Sequence, residues 1–266
     1  MSTKVPICLS IAGSDSGGNA GIQADLRTFS ALNTHGTSVI TCMTAQNPEL
    51  VKEVIPSPAS FVESQLSTVL EYYDIQAIKT GMLFDAEIIH AISKILVDYK
   101  SIPLIVDPVM MSSSGAPLLK EDAIQALESK ILPLASLITP NLDEAELLSG
   151  QRAQNPDQME NIARTLAENC GSSVLLKGGH LPGNALVDVL YQNGRETIFI
   201  ENERICTTNT HGSGCTLSAA ITAYVAGGLS IDDAVDKAIT WLNKAIQSPL
   251  ELSSDFFINH IHNTLK

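Results

Sequence analysis

Three segments carry residue types that could handle a phosphate. In Gly212-Ser213-Gly214-Cys215, two glycines open the apolar helical run LSAAITAYVA. Glycines there let the backbone turn tightly and aim several N–H groups at one point. Unpaired amides and the helix dipole make an anion site. Such a site stabilises charge that builds on a phosphoryl group in flight. Cys215 falls in the first helical turn, where a thiol is expected to ionise more readily than usual. The alternative is a small apolar filler.

The second set is Asp107-Pro108, Thr139-Pro140-Asn141 with Glu144, and Lys177-Gly178-Gly179-His180, each after an apolar run. Strand carboxyl ends of a parallel sheet share one edge, so these residues are expected to converge. Asp, Asn and Glu together suit a hydrated magnesium bound to phosphates, and Lys177 could meet those phosphates as a point charge. Taken singly, each also reads as turn punctuation. The third segment is Gly13-Ser14-Asp15-Ser16-Gly17-Gly18-Asn19-Ala20-Gly21. Gly13 and Gly18 have P-loop spacing, but Asn19-Ala20 stands where Lys-Ser/Thr is needed, and no G-x-G-x-x-G occurs. It reads as a strand-to-helix turn, or as a wall of small residues and amides against which a ligand lies.

The elements that must position these residues alternate. Short runs rich in Val, Ile, Leu and Thr read as strands: Val5–Ala12, Thr37–Ala45, Ile75–Thr80, Pro103–Val109, Leu137–Thr139 and Val174–Lys177. Between them lie helical patterns over 20–33, 57–73, 85–99 and 230–247. The last has the i, i+3, i+4, i+7 stripe from Ile231 to Ile246, with Ser230 as N-cap before Asp232 and Asp233. Strand then helix, repeated, means parallel strands covered by helices on both faces. Segment 185–206, with its Asn193-Gly194 turn, is expected to be an antiparallel hairpin at an edge. No linker, repeat or low-complexity run interrupts residues 1–266, so one α/β domain is expected.

Composition narrows the function. With 16 Lys and Arg against 29 Asp and Glu, the net charge is −13, against a nucleic-acid binder. The five cysteines are widely spaced without a CxxC pair, which argues against zinc or a redox dithiol and for a reducing compartment. No apolar stretch is long enough for a membrane span, and the N-terminus lacks a signal-peptide layout. A cytoplasmic protein without membrane partners is expected.

Together the segments GSDSGGNAGIQADLRTFSAL, GTSVITCMTAQN, KTGML, VDPVM, TPNLDEAELL, LLKGGH and TNTHGSGCTLSAAITAY resemble the hydroxymethylpyrimidine/phosphomethylpyrimidine kinases of thiamin biosynthesis, in the ribokinase-like superfamily. The likeness runs from about residue 7 to about residue 245. It implies a three-layer α/β/α fold with a central, mostly parallel sheet. It also implies an ATP- and Mg2+-dependent phosphotransferase that phosphorylates 4-amino-5-hydroxymethyl-2-methylpyrimidine and then its monophosphate.

By the same resemblance, Gly212, Ser213 and Gly214 form the anion hole and Cys215 faces the substrate hydroxyl as proton acceptor. Asn141, Lys177, Thr208 and His211 are implied on ATP, with Asp107 and Glu144 at the metal. Gly13, Asp15, Ala20, Thr44, Gln46, Met82 and Val109 are implied in the pyrimidine pocket. Gln46 offers a donor and an acceptor to an aminopyrimidine edge. Met82 covers the ring or is simply core. Ser213 replaces a common Thr and Asn19 a frequent Gly, neither removing a functional atom class. The resemblance further implies a homodimer. The rivals are a pyridoxal/pyridoxine kinase of the same superfamily and a catalytically silent ligand-binding relative.

Overall fold

The computed structural model describes residues 4–111, 119–179, 181, 185–203, 205, 210–252 and 255–262. The alternation produces β1 (Ile7–Asp15), α1 (Gly21–Ala31), β2 (His35–Gln46), β3 (Val51–Pro56), α2 (Ala59–Tyr72), β4 (Ala77–Thr80), α3 (Ala86–Leu96) and β5 (Leu104–Val106). There follow α4 (Glu121–Ala126, continued by a π-turn), β6 (Leu137–Ile138), α5 (Leu142–Ser149), α6 (Pro156–Cys170) and β7 (Ser173–Leu176). The chain then forms β8 (Ala185–Tyr191), β9 (Ile198–Glu203), α7 (Ser213–Ala226), α8 (Ile231–Gln247), β10 (Leu250–Leu252) and β11 (Asp255–Phe257).

One nine-stranded sheet runs β3-β2-β1-β4-β5-β6-β7-β8-β9. The strands from β2 to β7 in that order are parallel. β8 and β9 pair antiparallel, as the Asn193-Gly194 turn leads one to expect. The opposite edge departs from the expectation: β3 pairs antiparallel with β2. Its sequence, VKEVIP, is charged and Pro-ended, so no strand signal rises from it. β1 also runs beyond Ala12, through Gly13 and Ser14 to Asp15, with a register irregularity between Ala12 and Ser14. The first glycine segment is therefore strand in its first half.

Strand pleating sorts the core into two layers. Val106, Ile138 and Leu176 face the cluster with α2, α3, α4 and α6, whereas Ile105, Leu137 and Leu175 face α7 and α8. Successive residues point to opposite faces, so short all-apolar strands fill both layers. α1 packs beside α7 through Phe29, Ala219, Ala223 and Ala226. α7 is small and apolar on nearly every face and is buried accordingly. The helix ends obey local rules. Ser230 caps α8 by accepting the Asp233 N–H, Asp85 caps α3, and Asn155 caps α6 ahead of Pro156.

Candidate active site

Strand order reverses around β1: the chain moves from β1 outward to β2, then returns to β4 on the other side. Such switch points open a crevice at the carboxyl ends of the strands. A cavity of about 760 Å³ lies there. Its walls take in every described residue expected at the site, from Gly13, Thr44, Gln46, Met82 and Val109 at one end to Asn141, Lys177 and Gly214 at the other. Thr208, with Cys206 and His180, lies outside the described residues.

The phosphate-facing half is built by β5, β6, β7 and α7. Lys177 Nζ lies 3.2 Å from Asp107 Oδ1. Thr139 Oγ1 donates to the same oxygen at 3.3 Å, and Ser218 Oγ donates to Oδ2 at 3.3 Å. Burial works against the Lys177 charge, but Asp107 and Glu144 hold its pKa above the ordinary lysine value. Asn141 bridges β6 to β7 beside Lys177. Its Oδ1 accepts the Glu144 N–H at 2.9 Å, while Glu144 Oε2 accepts the Asn141 N–H at 2.8 Å. The pair is thus a capping box at the start of α5, a role not anticipated for it. Burial, with Asp107 nearby, raises the Glu144 pKa to about 7 despite Lys177.

The loop before α7 supplies the amides. Gly212 is left-handed, with φ +83°, and a Cβ there would sit 1.9 Å from the Asn19 carbonyl oxygen. Only glycine fits. A Cβ on Gly214 would lie 3.3 Å from Lys177 Nζ, so the loop and the Asp107–Lys177 pair share one wall. Cys215 follows, and here the expectation of an acidic thiol is overturned. Burial pushes its pKa up to about 11, with Asp107 and Asp25 adding to the rise and Lys79 and the Gly21 N–H opposing it. A helix N-terminus is worth little against desolvation and two carboxylates.

At the acceptor end, Asp15 serves the loop. Its Oδ1 accepts the Gly17 N–H at 2.8 Å, and its Oδ2 accepts those of Asn19 and Ala20 at 3.0 and 2.8 Å. His211 Nε2 stands 3.6 Å from Oδ2, so His211 faces the first glycine segment. Burial opposes the Asp15 charge, but His211 and the three amides keep its pKa below the usual value. Thr44 Oγ1 donates to the Ser14 carbonyl at 3.0 Å. Met82 Sδ lies 3.9 Å from Cys42 Sγ beside Gly13. Gln46 bonds Ser16 through its backbone and lines the cavity.

Lys79 and Asp25 escaped the sequence reading. Lys79 is fully buried and borders the cavity, paired with Asp25 at 2.7 Å. The available signal was a lysine inside a short strand that a doubly covered parallel sheet must bury. Among the described residues no group of three His, Cys, Asp or Glu side chains could hold a metal ion. No described helix is long and apolar enough to cross a membrane.

The sequence profile of the phosphomethylpyrimidine kinase family matches residues 15–260. A hydroxymethylpyrimidine/phosphomethylpyrimidine kinase of Synechococcus elongatus is 44% identical over 93% of this chain and 94% of its own. The thiamine biosynthesis bifunctional protein ThiED of Geobacter sulfurreducens is 41% identical over 95% of the chain, which spans about half (52%) of that protein. Among solved structures, the phosphomethylpyrimidine kinase of Clostridium difficile superposes with a TM-score of 0.81 at 42% identity, covering 91% of this chain and 99% of its own. The Bacillus subtilis pyridoxal kinase in its ADP complex gives 0.90 at 35% identity, covering 99% and 100%. Fold, cavity and similarity agree: this chain is a phosphotransferase of the phosphomethylpyrimidine kinase family, with a ribokinase-like fold.

Proposed function

We propose that this chain, as a single domain, transfers the γ-phosphoryl group of ATP to the hydroxymethyl group of 4-amino-5-hydroxymethyl-2-methylpyrimidine, and then phosphorylates the monophosphate. The observation that carries the reading is the shared wall of the Gly212–Cys215 loop and the Asp107–Lys177 pair, in a cavity whose other end exposes Gln46 and Met82. The Gly212–Cys215 amides take the charge that grows on the moving phosphoryl group, and Lys177 neutralises its oxygens. Cys215 accepts the proton of the substrate hydroxyl as that oxygen bonds phosphorus and the bond to ADP breaks. Thr208 serves the nucleotide side, whereas His211, 3.6 Å from Asp15, stands at the acceptor end and not on ATP as the resemblance implied. Leu186, Ile239, Leu242 and Ile246 give that end an apolar wall suited to a base.

Asp107 and Glu144 fit a Mg2+ ion that keeps most of its water and rides on the phosphates. They are hard oxygen donors on one cavity wall, the donor type that Mg2+ takes. When bound, the ion would neutralise phosphate charge. Exposed Met43 and Ile55 on the β2–β3 edge support a homodimer, which sedimentation would read.

A second reading, pyridoxal kinase, is favoured by the close superposition on the Bacillus subtilis enzyme. Coupled ADP release with each alcohol, followed by product masses, separates the two. Turnover of the pyrimidine alcohol to mono- and diphosphate is expected. Much faster turnover of pyridoxal overturns the substrate assignment. No ADP release with either would leave the silent ligand-binding relative.

A further inference from the structure

Among the described residues, Lys79, on β4, is the largest polar side chain that the fold buries completely. Its Nζ contacts Asp25 Oδ1 at 2.7 Å and Oδ2 at 2.8 Å, and Ser10 Oγ donates to Oδ2 at 2.5 Å. A buried ion pair is weak evidence for stability, because apolar side chains of similar volume often do as well. This one lies under the acceptor end of the cavity. Lys79 borders that cavity, and a Cβ on Gly81, the next wall residue of the same segment, would come within 3.3 Å of its Nζ.

Lys79 lies on the face of β4 that α1 and α7 cover, because Ala77 on that face packs against Phe29, Ala219 and Ala223 while Ile78 faces the other layer, and Cys215 at the start of α7 lines the same cavity. The charges acting on the Cys215 sulfur come from Lys79 on β4, Asp25 on α1, Asp107 after β5 and Lys177 after β7, and the Gly21 N–H at the start of α1 also faces it. Lys177 already serves Asp107 at 3.2 Å. Lys79 is a second cation at the cavity, paired with Asp25 at 2.7 Å, and it favours the ionised thiol where Asp25 and Asp107 oppose it. Burial opposes the Lys79 charge, but Asp25 with Cys215 and Asp107 keeps the amine protonated. Burial also pushes Asp25 upward, yet two contacts under 3 Å to one ammonium are the geometry of an ionised pair.

We propose that Lys79 is a positioning residue for phosphoryl transfer: its buried ammonium, held in place by Asp25, supplies the positive charge that favours the thiolate of Cys215 when the substrate hydroxyl loses its proton. This rests on Cys215 being the proton acceptor.

The test is the double variant Lys79→Met/Asp25→Asn, which removes both buried charges and leaves neither unpaired. Alkylation of Cys215 by iodoacetamide at pH 8.5, read by peptide mass, should slow at least tenfold. The kcat should fall at least tenfold, with KM for both substrates within threefold and the acid limb of the kcat profile moved to higher pH. Lys79→Arg keeps the charge and should alkylate within threefold of the parent, and it is the second readout should the double variant not fold. A folded double variant with the parent's alkylation rate and acid limb overturns the proposal, as does a Lys79→Arg protein that loses alkylation tenfold. Full turnover by Cys215→Ala would instead sink the proton-acceptor reading, while the alkylation rates would still report whether Lys79 acts on the sulfur.

Discussion

Lys177 Nζ and Asp107 Oδ1 meet at 3.2 Å although 70 residues separate them. One follows β7 and the other β5, and the segment after the intervening strand β6 contributes Thr139, bonded to Asp107, and Asn141, bridged to Lys177. A Cβ on Gly214 would touch the same lysine from the opposite layer. Three strand ends and one helix start thus put cation, anion and amides on one patch of wall, the set that phosphoryl transfer requires.

Cys215→Ala should lower kcat by about 10²–10⁴-fold, the usual range for a lost acid–base group, and leave the KM for ATP within threefold. Steady-state coupled ADP release checks this. Because burial holds the thiol near a pKa of about 11, the parent's kcat should still be rising with pH at 8.5.

Gly212→Ala should cost stability as well as rate. The position has φ +83° and a Cβ would meet the Asn19 carbonyl oxygen at 1.9 Å, so the loop must shift. Gly194 has a similar φ of +76° but open space around it, so Gly194→Ala pays only the left-handed penalty of about 1–2 kcal/mol. Urea unfolding should rank Gly212→Ala well below Gly194→Ala, with kcat lost only in the former.

Glu144 should make the protein less stable as pH rises. Its folded pKa of about 7 exceeds the ordinary 4.5, so the folded state keeps a proton that the unfolded chain has released. That contribution is fully present below pH 4.5 and is lost as pH rises through about 7, on the order of 3 kcal/mol. Glu144→Gln keeps an acceptor for the Asn141 N–H and should gain urea resistance at pH 8 relative to pH 5.

His260 should act in the opposite sense. Its Nε2 sits 3.0 Å from Thr216 Oγ1, next to Cys215 in α7, and burial followed by Arg27 lowers its pKa to about 4 from 6.5. Its contribution is present above pH 6.5 and is lost as pH falls through about 4, again on the order of 3 kcal/mol. His260→Gln should make urea unfolding less sensitive to acid over that window, with thermal unfolding as a second measure.

The sequence determined the alternation of strands and helices, the β8–β9 hairpin, the Ser230 cap and the convergence of Asp107, Asn141 and Lys177, because each follows from a local period, a turn residue or the rule that parallel strands share a carboxyl edge. Family motifs picked out the glycine loops and strand ends of the cavity wall but not its Leu186, Ile239, Leu242 and Ile246 side. Tertiary structure alone decided the rest. The β3 edge exists because β2 offers it a partner, not because VKEVIP favours a strand. Lys79 reads as an ordinary lysine until Asp25, on a helix 54 residues away, meets it in the core. Cys215 sits where a helix start should make a thiol acidic, yet its pKa rises, because desolvation and neighbouring charge are set by what packs around a residue and not by its place in the chain.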